Sequence, residues 1–288
     1  MNLEEHAPAK INLSLRVLGR RADGFHEIES LVAFARLGDG LSLHPDMDIT
    51  LETAGPFASA LGGEDNLILE AANRVKERCP GVQFGAFTLE KNLPVAAGLG
   101  GGSADAGAAL RLIGRANPGV ISPRIMEEVA CGLGADVPAC LVSHAAVMQG
   151  RGEKLSVLED LPTLDMVLVN PGIPLAAGDV YTALEAPLLE DNFVTDDSGQ
   201  MSFVSDDELL KHISIAGNDL QSPAKKLAPV IGDVLAELSL IEGCEAAQMS
   251  GSGSTCFGVF DNAGHAASAR DRLHAAHPDW WVVSTRLE

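Results

Sequence analysis

Aromatic rings are scarce in this sequence. Phe, Trp and Tyr make up 4 % of it, with one tyrosine, Tyr181, and two tryptophans, Trp280 and Trp281. The core must therefore be filled by Leu, Val, Ile and Ala, and apolar residues at 46 % suffice for an ordinary globular interior. Positive charge is the second shortage. Twenty Lys and Arg face 40 Asp and Glu, a formal charge of −20. Such a field repels nucleic acid and anionic membranes and argues against either as a partner. It repels anionic small molecules too, so a phosphate site must be made locally, by backbone dipoles and a few placed cations. Cysteines are few, odd in number and dispersed (Cys79, Cys131, Cys140, Cys244, Cys256), with no C-x-x-C pair. That excludes a disulfide scaffold and a zinc knuckle, and points to free thiols in a reducing compartment. No stretch approaches ~18 consecutive apolar residues, and the acidic first residues lack an apolar run. The expectation is a cytoplasmic chain without export signal or membrane span. With 288 residues there is room for one large or two ordinary domains.

What the sequence does have is glycine in clusters. Residues 94–107 read PVAAGLGGGSADAG, with Gly98, Gly100, Gly101 and Gly102 inside five positions. Ser103 reads as an N-cap and 104–115 as a helix; residues 84–92 before the loop read as a strand. A glycine loop can turn its amides inward, and the following helix adds free N–H groups and the positive end of its dipole. Strand, glycine loop and helix together make a phosphate cradle. Two common glycine motifs are absent: no Lys precedes Ser103 as a P-loop requires, and position 103 is Ser where a dinucleotide fingerprint needs Gly. A flexible hinge is the plainer alternative. The small residues Ala104, Ala106, Gly107, Ala108 and Ala109 argue against it, since they suit a helix packed very close to a neighbour.

The remaining chain reads as follows. Residues 9–18 alternate, with Ile11, Leu13, Leu15 and Val17 on one face and Lys10, Asn12, Ser14 and Arg16 on the other, the pattern of a half-buried strand. Residues 19–24 are a turn, 30–37 a strand, 38–40 (Gly-Asp-Gly) a turn and 41–43 a strand. Residues 53–64 read as irregular. Helices are expected from Asp65 or Asn66 to Pro80 and over 124–133. A second glycine turn, 132–139, presents one carboxylate, Asp136. Short strands follow at 145–149 and 165–170, with a domain boundary between 155 and 163. The acidic stretch 188–208 reads as a solvated loop. A helical region from Asn218 is divided at Pro229. A third glycine cluster, 249–256, leads to a strand at 257–260, a helix at 263–277 and a strand at 280–285, suggesting a split β-α-β second domain.

An anion cradle, a strand-borne ammonium at Lys10, a carboxylate on a glycine turn at Asp136 and a Ser/Gly loop at 250–255 are the parts phosphoryl transfer needs, since its catalysis is mostly positioning and charge stabilisation. Taken singly, such a lysine is usually a solvated surface group and such an aspartate usually a helix cap.

Three stretches, PAKINL at 8–13, PVAAGLGGGSAD at 94–105 and MSGSG at 249–253, resemble the motifs of the GHMP small-molecule kinases. RADGFHEI at 21–28, GADVP at 134–138 and NDL at 218–220 resemble the branch that acts on a cytidine-diphosphate-linked polyol. The likeness runs in order from residue 7 to about 260. It implies an α+β two-domain GHMP kinase fold, with a ribosomal-protein-S5-domain-2-like N-terminal domain over 1–158 and a ferredoxin-like split β-α-β C-terminal domain over 159–288. It implies ATP-dependent phosphorylation of the 2-hydroxyl of 4-diphosphocytidyl-2-C-methyl-D-erythritol, in non-mevalonate isoprenoid precursor synthesis. The alternative is a small alcohol of the homoserine or phosphomevalonate type. Lys10 and Asp136 would be the catalytic pair, Asp136 as base. Pro94, Val95, Ala96, Ala97, Gly98, Leu99, Gly100, Gly101, Gly102, Ser103 and Ala104 would hold the phosphates of ATP, which brings Mg²⁺ with mostly water ligands and no nominated protein ligand. Asn12 would bind near the reacting hydroxyl, His26 would hydrogen-bond cytosine, and Phe25 and Tyr181 would supply its two stacking faces. Phe25 departs from the tyrosine more usual in the family; stacking survives the loss of the hydroxyl. An imidazole donates and accepts through its two nitrogens, which suits the adjacent acceptor and donor of cytosine. The expected partner is that small molecule, with neither nucleic acid nor membrane, in a monomer or weak homodimer. A nucleotide- or nucleic-acid-binding module without catalysis is the reading from another class, and the charge of −20 disfavours it.

Overall fold

In a computed structural model the chain is described over residues 2–46, 48–62, 66–190, 193 and 201–287. Its elements, in chain order, are β1 (Leu3–Asn12), β2 (Arg16–Arg20), β3 (His26–Asp46), β4 (Thr50–Ala54), α1 (Leu67–Arg78), β5 (Phe84–Glu90), α2 (Gly101–Ala116), α3 (Pro123–Leu133) and α4 (Val137–Val142). There follow β6 (Ala146–Gly150), β7 (Lys154–Val157), β8 (Leu164–Asn170), α5 (Ala177–Leu184), α6 (Asp206–Ala216), α7 (Gln221–Leu227), α8 (Val230–Ser239), β9 (Cys244–Met249), β10 (Cys256–Phe260), α9 (Ala263–Ala276) and β11 (Trp281–Leu287). Two compact units interleave along the chain. The first takes residues 1–10, 37–95 and 100–143; the second takes 11–36, 96–99 and 144–288. Strands β1 and β3 each contribute to both.

In the first unit β4 runs parallel to β5, and β5 antiparallel to Gly40–Asp46 of β3. Helix α2 packs on α1 and α4. Its small residues allow the approach: a Cβ on Gly107 would lie 2.6 Å from the Cys140 carbonyl oxygen. Asn66 caps α1 by accepting from the Ile68 amide at 2.9 Å, and Ser122 caps α3. β3 runs unbroken through Gly38 and Gly40, where a turn is expected. Gly38 is there for closeness, since a side chain would run into the Ala7 carbonyl of β1. The expected strand over 9–18 is likewise two strands, β1 ending at Asn12 and β2 starting at Arg16, and residues 7–12 are buried on both faces rather than one.

In the second unit β11, β8, β10 and β9 lie side by side, every pair antiparallel. Chain order is strand, helices, strand, strand, helix, strand, the split β-α-β arrangement. Val167, Val169, Ile231, Val234, Leu238, Phe260, Ala269 and Leu273 belong to one cluster of its core. The first part of β3 pairs with β2 and β6, and β6 with β7. Of the acidic stretch 188–208, residues 191–192 and 194–200 lie outside the described residues. Its end opens α6, capped by Ser205, which accepts from the Glu208 amide at 3.3 Å.

Candidate active site

Lys10 sits on β1 at 3 % exposure. A buried ammonium requires a partner, and its Nζ lies 3.1 Å from Asp136 Oδ2. Asp136 is the residue before α4, yet its side chain makes no capping bond to that helix. The carboxylate is turned to Lys10 instead, which removes the helix-cap reading. Its side chain is 36 % exposed, so a solute can reach one end of the pair. The third member is Gly100, in left-handed backbone with φ 61°. A Cβ there would come 3.1 Å from Lys10 Cε and 3.7 Å from Asp136 Oδ2. Positions 10, 100 and 136 thus converge, and a side chain at the middle one would be strained in its left-handed backbone and tight against Lys10.

Gly100 is also the N-cap of α2, which starts at Gly101 without a side-chain cap. This corrects the placement of Ser103, which is the third residue of the helix. The helix starts three residues earlier than expected because Gly101 and Gly102 adopt helical backbone. With no side chain closing the turn, its first amides are left for an external acceptor. Pro94 and Val95, on the approach to the loop, belong to the same unit.

Directly against this helix start lies a buried cluster that the sequence reading missed. Lys91 Nζ is 2.5 Å from Asp39 Oδ2 and 2.6 Å from Asp105 Oδ2. Asp39 Oδ1 accepts from the Asn92 and Leu93 amides. A Cβ on Gly101 would lie 3.2 Å from Lys91 Nζ. The available sequence signals were Asp39 between two glycines, which reads as a turn, and Asp105 as the last residue of the 94–105 stretch.

Residues 96–99 of the glycine loop belong to the second unit. Gly98 has φ 76°, and its carbonyl accepts from Ser250 Oγ at 3.0 Å. The Thr255 amide donates to the Ala97 carbonyl at 3.2 Å. The 250–255 loop therefore clasps this part of the glycine loop. Asn218 donates to the carbonyls of Met249 and Gly251 at 2.7 and 2.8 Å, which gives the Asn-Asp-Leu stretch its task of holding that loop. Asn12, 2 % exposed, donates from its amide nitrogen to Ser250 Oγ and from Nδ2 to Ser30 Oγ at 2.8 Å.

The Tyr181 ring stacks on His26, centroids 4.8 Å apart and planes at 29°. Burial, with the Arg20 charge second, holds His26 below its ordinary pKa. The imidazole is therefore neutral near pH 7 and keeps one donor and one acceptor. Phe25 is 55 % exposed, and the Arg151 guanidinium lies 4.9 Å from its ring centre. Tyr181 thus lies on His26 and Phe25 under Arg151. Arg151, on the turn between β6 and β7, carries no sequence signal beyond its charge. Among the described residues no group of three or more His, Cys, Asp and Glu gathers in a way that could hold a metal, and no helix is long and apolar enough to cross a membrane.

The chain matches the models of the GHMP kinases N terminal domain over residues 66–144 and the GHMP kinases C terminal domain over 205–279. A 4-diphosphocytidyl-2-C-methyl-D-erythritol kinase of Rhodopseudomonas palustris is 49 % identical over 304 residues, covering 100 % of this chain and 98 % of that one. One of Methylobacterium radiotolerans is 46 % identical, covering 99 % of both. Among solved structures, a 4-(cytidine 5'-diphospho)-2C-methyl-D-erythritol kinase superposes with a TM-score of 0.77 at 32 % identity, covering 99 % of each chain. A homoserine kinase from Cytophaga hutchinsonii superposes at 0.68 with 18 % identity, covering 99 % of this chain and 94 % of that one, a likeness of fold.

Proposed function

This chain belongs to the GHMP kinase family, and from that premise we propose that it is an ATP-dependent kinase acting on the 2-hydroxyl of 4-diphosphocytidyl-2-C-methyl-D-erythritol. The observation that carries the reading is the convergence of Lys10 Nζ, Asp136 Oδ2 and Gly100. Asp136 takes the proton of the 2-hydroxyl as its oxygen bonds to the γ-phosphorus and ADP leaves. Lys10, held buried beside it, stabilises the ionised carboxylate before transfer and the developing charge during it. The stretch from Pro94 to Ala104 holds the ATP phosphates; left-handed glycines and an uncapped helix start support this. Mg²⁺ bound to ATP would supply neutralisation of the phosphate charge, and no residue of this chain is assigned to hold it.

Asn12 lies two residues from Lys10 on the same strand and binds close to the reacting hydroxyl. Neutral His26 pairs with the edge of cytosine and is held in orientation by Tyr181. Exposed Phe25 offers a stacking face, and Tyr181 is assigned to the substrate site on its contact with His26. The charge of −20 supports an enzyme of small molecules without nucleic-acid or anionic-membrane partners, and the dispersed cysteines support a reducing, cytoplasmic setting.

ADP release coupled to a dye reaction, with the cytidylyl substrate, tests the assignment. Asp136→Asn should lower kcat by about 10²-fold or more; unchanged turnover removes Asp136 from the base role. His26→Ala should raise the KM for the cytidylyl substrate and leave that for ATP unchanged. If the KM for the cytidylyl substrate does not move, the cytosine assignment fails and a kinase for another small alcohol, of the homoserine or phosphomevalonate type, regains ground.

A further inference from the structure

The Lys91 cluster carries more carboxylate than it can neutralise. One ammonium stands between two aspartates, all three at 4 % exposure or less. Asp39 is well served, since its other oxygen accepts two backbone amides. Asp105 is not: its Oδ1 is buried and has no hydrogen-bond partner. An ionised oxygen in that state is costly, whereas the carbonyl oxygen of a neutral acid costs much less. The two carboxyl groups also close on the same Nζ, at 2.5 and 2.6 Å, so two like charges are crowded around one ammonium in a dry site, and a proton shared between them removes that repulsion.

We infer that Asp105 is a positioning residue for the nucleotide: it shares a proton with Asp39 over Lys91, leaving the cluster uncharged beneath the first turn of α2. Location gives the proton its consequence. The cluster touches Gly101, the first residue of the helix whose free amides meet phosphate. A surplus negative charge there offsets the positive helix end and repels an incoming phosphate; a neutral cluster leaves that end intact. Burial, opposed by Lys91 and reinforced by Asp39, pushes the Asp105 carboxyl up to about 7, within reach of ordinary working pH. Those two are the charged groups acting on it. Cys140 of α4 is the other titratable neighbour, and burial keeps its thiol neutral.

The inference rests on the phosphate-cradle reading above, and the test separates the two. Titration calorimetry of the full chain with MgADP from pH 6 to 9 should show wild-type affinity falling about tenfold more than that of Asp105→Asn, one pKa unit of coupling. Asp105→Asn cannot ionise, so it retains only the slope of the nucleotide itself and keeps near wild-type affinity at pH 6. Parallel slopes for the two proteins overturn the inference and leave the kinase reading standing. Absence of MgADP binding by the wild type at every pH overturns the cradle. Should Asp105→Asn fail to fold, infrared spectra of the wild type decide: a carboxylic acid band present at pH 6 and lost by pH 9 supports the shared proton, and no such band refutes it.

Discussion

At the scale of single residues, Gly100 is where backbone and chemistry meet. Its φ of 61° is open to glycine, and a methyl group there would press on Lys10 Cε at 3.1 Å. Gly100→Ala should cost about 1–2 kcal/mol from the left-handed backbone alone. The methyl should also displace Lys10, so kcat should fall along with the melting temperature. A variant that melts lower at full kcat would show that the lysine's position does not govern turnover. Lys10 and Asp136 were legible in the sequence because each sits in a motif. Their contact was not, since nothing local links positions 10 and 136. Lys91, Asp39 and Asp105 show the opposite case. Asp39 reads as a turn residue and Lys91 as a strand end; Asp105 closes the glycine-loop motif, but nothing local links it to the other two, and only a fold that brings β3, the end of β5 and α2 together makes them a buried charge cluster.

At the scale of elements, the glycines in helices divide by what surrounds them. Glycine to alanine inside a helix ordinarily stabilises by about 0.4–1 kcal/mol, by restricting the unfolded chain. Gly178 in α5 meets no heavy atom within 4 Å of an added Cβ, so Gly178→Ala should raise the melting temperature. Gly107 in α2 would place that carbon 2.6 Å from the backbone oxygen of Cys140, which cannot rotate away. Gly107→Ala should therefore lower the melting temperature, with overpacking at about 1–3 kcal/mol outweighing the entropic gain. Equal shifts in the two variants would mean that α2 and α4 are not packed so closely. The same distinction explains the misread strand. Gly38 and Gly40 look like a turn because glycine so often marks one, but β3 stays extended there, and Gly38 admits β1 against it. Helix α6 failed to register for another reason. Ser205 and Glu208 bracket its start much as a capping box does, with Glu208 accepting from the Val204 amide at 3.0 Å, but the surrounding acidic composition drowned the signal.

At the scale of the whole molecule, the charge of −20 works against its own reaction. Both proposed substrates are polyanions, so their approach costs electrostatic work that the local cations and helix amides offset only at short range. Added salt shortens the range of the repulsion: the screening length falls from roughly 20–30 Å at ten to twenty millimolar to about 8 Å at 150 mM. Contacts made inside the cradle, being buried, are screened much less. Raising monovalent salt over that interval should therefore increase kcat/KM for the cytidylyl substrate, with kcat nearly constant, because the gain lies in encounter rather than in chemistry. A site that drew its ligands by long-range attraction would respond the other way. A fall in kcat/KM over the same interval would mean that Lys10, Lys91 and their neighbours project a positive field into solvent despite the surplus of carboxylates.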